Sequence, residues 1–211
     1  MKNITIIDYE VGNIKSLAQA IKFLGFDFRI TRDKNIIEKS SHIILPGVGA
    51  FGHCIANIRK YNLFDPLKDF INSDKNFLGI CVGMQLLFTK SYEFGEFEGL
   101  NVIDGVIKKI KSKKFQELKL PNIGWNKINK PKNSSWNKTI FKNFDNYVYQ
   151  YFVHSYYPVI SNREYIIGTI NYYDLNIPVA FKKKNVYGFQ FHPEKSGGHG
   201  IDILKNFLKK E

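Results

Sequence analysis

The sequence lacks any apolar run near the ~20 residues that cross a bilayer, so it encodes no membrane-spanning helix. Cysteine is almost absent: Cys54 and Cys81 are the only two, neither in a CxxC pair nor near histidine at zinc-ligand spacing. A disulfide framework and a structural zinc site are thereby excluded, and each thiol is either chemistry or packing. There is no internal repeat, low-complexity linker or compositional break, so residues 1–211 read as a single domain. Acid is scarce, with 19 Asp and Glu against 31 Lys and Arg, for a net charge of +12. A basic stripe with interleaved aromatics is what nucleic acid attracts. Here the lysines are scattered (Lys108, Lys109, Lys111, Lys113, Lys114, Lys182 to Lys184, Lys209, Lys210) beside strand and helix patterns, as solvated faces are. Neither nucleic acid nor membrane is therefore expected as a partner. The opening Met1, Lys2 and Asn3 lead straight into a strand-like Ile4 to Tyr9 with no signal-peptide pattern, which gives the expectation of a soluble cytoplasmic chain.

What is present is a core-forming chain, 44% hydrophobic and 24% charged. The first half alternates short apolar runs with amphipathic segments in the βαβ manner. Ile4 to Tyr9, Phe26 to Thr31 and His42 to Leu45 read as strands, with Ile14 to Leu24 and Ile36 to Lys39 between them. Gly25 follows Leu24 as a helix C-cap signal. A further unit places a helix over Phe64 to Ile71, a strand over Phe77 to Ile80 and a helix over Met84 to Phe88. The second half turns to two-residue alternation around Val102 to Ile110, Ile166 to Tyr173, Val179 to Lys183 and Tyr187 to Phe191, with turn signals at Gly105, Gly168, Asp174 and Asn185. Those strands should be partly antiparallel. A helical Ile201 to Leu208 closes the chain, and Asn129 to Asn137 reads as a loop.

The strongest chemical signal is Phe77-Leu78-Gly79-Ile80-Cys81-Val82-Gly83-Met84-Gln85, a buried-type strand ending in Gly-x-Cys-x-Gly and running into a helical pattern. This is a nucleophile elbow, in which flanking glycines let the side chain project into a cleft and a following helix N-terminus favours thiolate. Cys54 lacks such a turn and is assigned to packing. A proton acceptor is offered by Phe191-His192-Pro193-Glu194 at a strand end, where two-residue spacing on an extended chain lets Glu194 orient His192. The rival histidines His42, His53, His154 and His199 have no such company. Leu45-Pro46-Gly47-Val48-Gly49 empties a strand into a glycine-rich loop, whose Val48 or Gly49 amides, with that of Val82, would hold an oxyanion.

Pro46-Gly47-Val48-Gly49, Gly79 to Gln85 and His192-Pro193-Glu194 together resemble the class I, or triad, glutamine amidotransferases in order and spacing. Asp8 to Ser16, Ile123-Gly124-Trp125-Asn126 and Tyr151 to Tyr156 are similar to the glutaminase subunits of imidazole glycerol phosphate synthases. The resemblance covers essentially the whole chain. It implies a flavodoxin-like α/β fold with a mixed, mostly parallel central sheet and helices on both faces. It implies a γ-glutamyl thioester on Cys81, proton transfer by His192 and orientation by Glu194, without cofactor or metal. Gly49, Gln85, Glu93, His154, Ser155 and Tyr156 would bind glutamine, and Asn13, Trp125 and Asn126 would face a (βα)8-barrel synthase subunit in a heterodimer. Ammonia passed to that subunit would build imidazole glycerol phosphate in histidine biosynthesis. In that family the oxyanion loop can stay unformed until the partner binds. One position departs from the pattern: Glu10 stands where the family has glycine after the tyrosine. Other readings of the same residues are a paralogue feeding a surface-sugar amidotransferase, a stand-alone γ-glutamyl hydrolase or cysteine peptidase, and a binding protein with a vestigial elbow. Trp125 in the protein core is the bland alternative to an interface role.

Overall fold

In the computed structural model the described residues are 2–132 and 134–210. Met1 and Glu211, the ends of the single-domain reading, and Asn133, within the expected loop, lie outside them. The first half contains strands β1 (Ile4–Ile7), β2 (Phe28–Thr31), β3 (His42–Leu45) and β4 (Asn76–Ile80). Between them run helices α1 (Ile14–Phe23), α2 (Lys34–Lys39), α3 (Phe51–Lys60) and α4 (Phe64–Asn72). A one-turn α5 (Val82–Gln85) precedes β5 (Phe88–Ser91), β6 (Phe97–Glu98), β7 (Ile103–Lys109), β8 (Asn122–Asn129), β9 (Tyr147–His154) and β10 (Tyr156–Ile160). The chain then forms β11 (Ile166–Tyr172), β12 (Leu175–Lys183), β13 (Val186–Phe189) and α6 (Gly197–Leu208).

Nine strands form one sheet in the order β2-β1-β3-β4-β13-β12-β11-β8-β9. The pairings from β2 across to β13 are parallel, and those from β13 out to β9 are antiparallel. Sequence pattern explains the division. Every residue of β1, β3, β4 and β13 is buried, as strands covered on both faces must be, whereas β9 alternates exposed and buried positions with one face in water. Register shows that helices cover both faces. His42 pairs with Asn76 and Tyr187 with Leu78, so these side chains share a face, and Phe77 points to the other. Phe207 of α6 packs edge-on against His42 and Tyr187, at ring separations of 5.5 and 6.2 Å. Phe70 of α4 meets Phe77 on the opposite side at 6.5 Å.

Several local expectations change. The helix over Met84 to Phe88 is not formed: α5 stops at Gln85, and Phe88 starts a strand of a second sheet ordered β10-β7-β5-β6. The carbonyls of Leu86 and Leu87 are claimed by the N–H groups of Leu100, Val102 and Ile103, a long-range pairing that local periodicity does not reveal. Helix α3, hidden behind a glycine-rich loop signal, runs from Phe51. Gly105 and Gly168 are turn signals that sit inside β7 and β11, the second at a bulge. Gly25 does terminate α1, its φ of 76° being the left-handed geometry a C-cap glycine supplies. Glu10, the departure from family glycine, takes φ 62° and so keeps the backbone a glycine would adopt. Its carboxylate faces Arg32 at 3.3 Å and Lys60 at 3.6 Å.

Candidate active site

Strand β4 delivers Cys81 to the sheet's C-terminal edge with φ 55° and ψ −116°, backbone angles that L-residues rarely hold and that cost about 1–3 kcal/mol. The turn is locked by the Cys81 N–H donating to Phe189 O at 2.7 Å and by the N–H groups of Met84 and Gln85 donating to Cys81 O, both at 3.1 Å. The glycines are needed for a different reason from the one the sequence suggests. A Cβ on Gly83 would lie 2.0 Å from Leu45 O, and one on Gly79 would lie 2.6 Å from Gly83 O. They let three backbone segments cross at contact distance, and this crossing holds Cys81 in place. Because α5 is a single turn, its terminal partial charge is a smaller aid to a thiolate than the sequence-based helix implied.

His192 lies just past β13, its N–H donating to Tyr151 O at 3.0 Å. Its Nδ1 is 2.9 Å from Glu194 Oε1, and both side chains are buried. A carboxylate only accepts, so Nδ1–H donates and Nε2 keeps its lone pair for the cysteine side. The contact is made through a 3-10 turn at Pro193–Lys195, not along the extended chain that two-residue spacing suggested. Ser196 fixes that turn, donating to His192 O at 2.6 Å and accepting from Tyr151 N–H at 2.9 Å. Burial disfavours a charged ring, but attraction from Cys81 and Glu194 outweighs it, and His192 holds its proton above the ordinary imidazole range. Cys54 is the opposite case: burial pushes its thiol up to about 12, which fits packing.

A cleft of about 330 Å³ is bordered by Val48, Gly49, Cys81, Val82, Gln85, Glu93, His154, Ser155, Tyr156 and His192, ten positions singled out in the sequence and here brought together. Glu194 stands behind His192 and outside the lining. The amides expected from the sequence to hold an oxyanion are not assembled, however. The Val82 N–H donates to Gly47 O at 3.3 Å, and since the C=O and N–H of a trans peptide unit point opposite ways, the Val48 N–H is turned away. The loop is held in this state at three successive carbonyls: Pro46 O accepts from Tyr9 Oη at 2.6 Å, Gly47 O from Val82, and Val48 O from the Cys54 thiol at 3.6 Å.

Other lining groups are partly committed. Glu93 Oε2 accepts from the Phe51 N–H at 2.7 Å, capping α3, and burial raises its carboxyl above the usual range in spite of that bond. His154 donates from Nδ1 to Tyr156 O at 2.9 Å and accepts at Nε2 from Asn122 at 3.0 Å. Burial holds it neutral, its pKa pushed down to about 4, so it shapes the wall instead of donating charge. Ser155 O accepts from Ile110 N–H at 2.9 Å, and Tyr156 meets Phe94 edge-on at 6.2 Å. The expected interface residues lie away from the cleft lining. Asn13 caps α1 by accepting from Ser16 N–H at 3.5 Å. Trp125 is 55% exposed against Tyr151, and Asn126 donates to Asn122 and Gly124 at 3.1 and 3.3 Å. Sequence reasoning missed Gln190, Pro121, Phe94 and Val153, all of which line the cleft. Gln190 did carry a signal, as a lone amide between Phe189 and Phe191 in an otherwise apolar strand.

The family profile described as Glutamine amidotransferase class-I matches residues 5–211. The chain belongs to that family. This glutamine amidotransferase is 44% identical over 204 residues to "Imidazole glycerol phosphate synthase subunit HisH" of Caldanaerobacter subterraneus subsp. tengcongensis, covering 97% of this chain and 96% of that one. The protein of the same name from Carboxydothermus hydrogenoformans is 42% identical over 202 residues, covering 95% and 96%. Among solved structures, PurLQS from Thermotoga maritima superposes with a TM-score of 0.73 at 18% identity over 98% of this chain and 97% of that chain, a likeness of fold.

Proposed function

We propose that this glutamine amidotransferase is the glutaminase subunit of an imidazole glycerol phosphate synthase, a single cytoplasmic domain paired with a (βα)8-barrel subunit. The observation that carries the chemistry is Cys81 and His192 lining one cleft, with Glu194 behind His192 and tied to its Nδ1 at 2.9 Å. Cys81 attacks the side-chain amide carbon of glutamine as its thiol proton passes to Nε2 of His192. The imidazolium returns that proton to the leaving nitrogen, and ammonia departs from a γ-glutamyl thioester. Water, deprotonated by Nε2, then cleaves the thioester to glutamate and restores the thiol. Gln85, Glu93 and the backbone near Ser155 and Tyr156 hold the α-amino acid end, and the amides of Val48, Gly49 and Val82 receive the oxyanion once the Gly47–Val48 peptide has turned over.

The unformed oxyanion site supports a partner-gated enzyme, because about 2.7–4 kcal/mol is lost when one such donor is missing. The exposed apolar row on β8 and β9 (Ile123, Trp125, Tyr147, Tyr149, Val153) supports docking there, since Val153 also borders the cleft. The test is ammonia release from glutamine by the purified chain, alone and then with the barrel subunit and its ribulosyl intermediate. Stimulation by at least a hundredfold is expected. Glutamine turnover that the pair leaves unchanged would assign the ammonia to another acceptor, such as a surface-sugar amidotransferase, and no turnover in any mixture would mean a vestigial elbow.

A further inference from the structure

Gln190 has no part in the triad, yet it is fully buried and in direct contact with the nucleophile. Its Nε2 lies 3.8 Å from Cys81 Sγ, within the reach of an N–H donor to sulfur. Its Oε1 accepts from Gln85 Nε2 at 2.9 Å. The backbone fixes it as well: the Gln190 N–H donates to Val179 O at 2.9 Å, in line with the Phe189 carbonyl that anchors the Cys81 turn. A buried amide between two phenylalanines needs a polar reason to be there.

We propose that Gln190 is a catalytic residue, an amide donor to the sulfur of Cys81 that favours the thiolate as nucleophile and as leaving group, and that Gln85 sets the direction of that amide. This rests on the glutaminase reading and adds a second charge stabiliser beside His192. The direction matters because an amide has two ends. With Gln85 donating into Oε1, the –NH2 end must face the sulfur, where it can bond a thiolate and offers nothing to accept an S–H proton. The opposite amide orientation would place a carbonyl oxygen on the sulfur and favour the protonated thiol. In thioester hydrolysis the sulfur departs as thiolate, so the same donor serves both half-reactions; it transfers no proton, and the thiol proton goes to His192 throughout. The titratable groups around the sulfur are His192 with Glu194 behind it, Tyr9 past the end of β1, Cys54 on α3, and Glu93, His154 and Tyr156 in the shared cleft lining.

The experiment is the pH dependence of Cys81 alkylation by iodoacetamide in the full chain without glutamine, followed by peptide mass mapping, for wild type, Gln190→Met and Gln190→Glu. Methionine keeps the length of the buried side chain, and glutamate keeps its shape. The half-point of labelling is expected to move up by about one pH unit in Gln190→Met, a roughly tenfold slower reaction below it, since a bond to a charged acceptor is worth that much. In Gln190→Glu it is expected to move further. A half-point that stays in place in both variants, or moves down in Gln190→Met, overturns the proposal, the second outcome by showing the carbonyl end on the sulfur. Labelling needs no glutamine turnover, so failure of the glutaminase reading would show separately, as wild-type protein that labels normally but releases no ammonia with its partner.

Discussion

Glu194→Gln tests the link between His192 and its carboxylate with almost no change of volume. In the native site Oε1 accepts from Nδ1–H at 2.9 Å while Oε2 is buried with no hydrogen-bond partner among the described residues. Glutamine can keep an oxygen on Nδ1–H only by burying its –NH2 at the Oε2 position, where no acceptor waits. If it turns the –NH2 to Nδ1 instead, the ring takes the other tautomer and Nε2 can no longer accept the thiol proton. Losing the charge-assisted bond costs about 1.5–3 kcal/mol, which is roughly a 10- to 150-fold fall in kcat of the partner-stimulated glutaminase. Cys81→Ala, which removes the atom proposed to form the thioester, should leave no turnover. A pH signature accompanies the rate. Cys81 and Glu194 both raise the proton affinity of His192, and Glu194 is the one that still does so once the sulfur is bonded to substrate, so it keeps imidazolium available to the leaving nitrogen as pH rises. Without the carboxylate that affinity falls, so the alkaline limb of kcat should move acidward by about a pH unit or more. A loss under threefold, a loss as complete as in Cys81→Ala, or an unmoved alkaline limb would refute the orienting role.

Three more outcomes follow from the same geometry. Cys81→Gly should abolish hydrolysis yet raise stability by about 1 kcal/mol in urea unfolding, since glycine holds φ 55° without strain; a destabilised variant would count against a strained elbow. His42 and His154 are buried neutral, each pushed down to about 4 by burial, so the unfolded chain gains protons that the fold refuses as pH falls from about 6.5 to about 4. His192 works in the opposite sense, its contribution being complete below about 6.5 and lost as pH rises through its raised folded value. The net expectation is a urea midpoint that drops between pH 6.5 and 4, with a shallower drop in His42→Asn; a flat or rising midpoint would contradict it. Trp125→Ala should leave unfolding within about 0.5 kcal/mol of wild type, because the ring is 55% exposed. Titration with the proposed barrel subunit should nonetheless show at least tenfold weaker binding. Unchanged affinity would remove Trp125 from the interface.

The sequence alone picked out the candidate nucleophile, base and orienting carboxylate, because such groups are carried by local patterns: Gly79 to Gly83, and His192 to Glu194, are contiguous. It also determined the parallel half of the sheet, whose strands are continuously apolar because both faces are covered. The tertiary structure decided everything that depends on which segments meet. The helix after the elbow ends at Gln85 because Leu86 and Leu87 are claimed by residues more than a dozen positions away. The glycines at 83 and 79 are required because the Gly83 backbone is pressed between Leu45 on one side and Gly79 on the other, a distance no spacing rule encodes. The amides expected from the sequence to hold an oxyanion are not aimed at the cleft in this state, since peptide orientation is set by Tyr9, Val82 and Cys54 from three separate elements. Gln190 was visible as an odd amide in an apolar strand, but only the fold brought it to the sulfur, because packing of β13 against β4 decides which side chain meets Cys81.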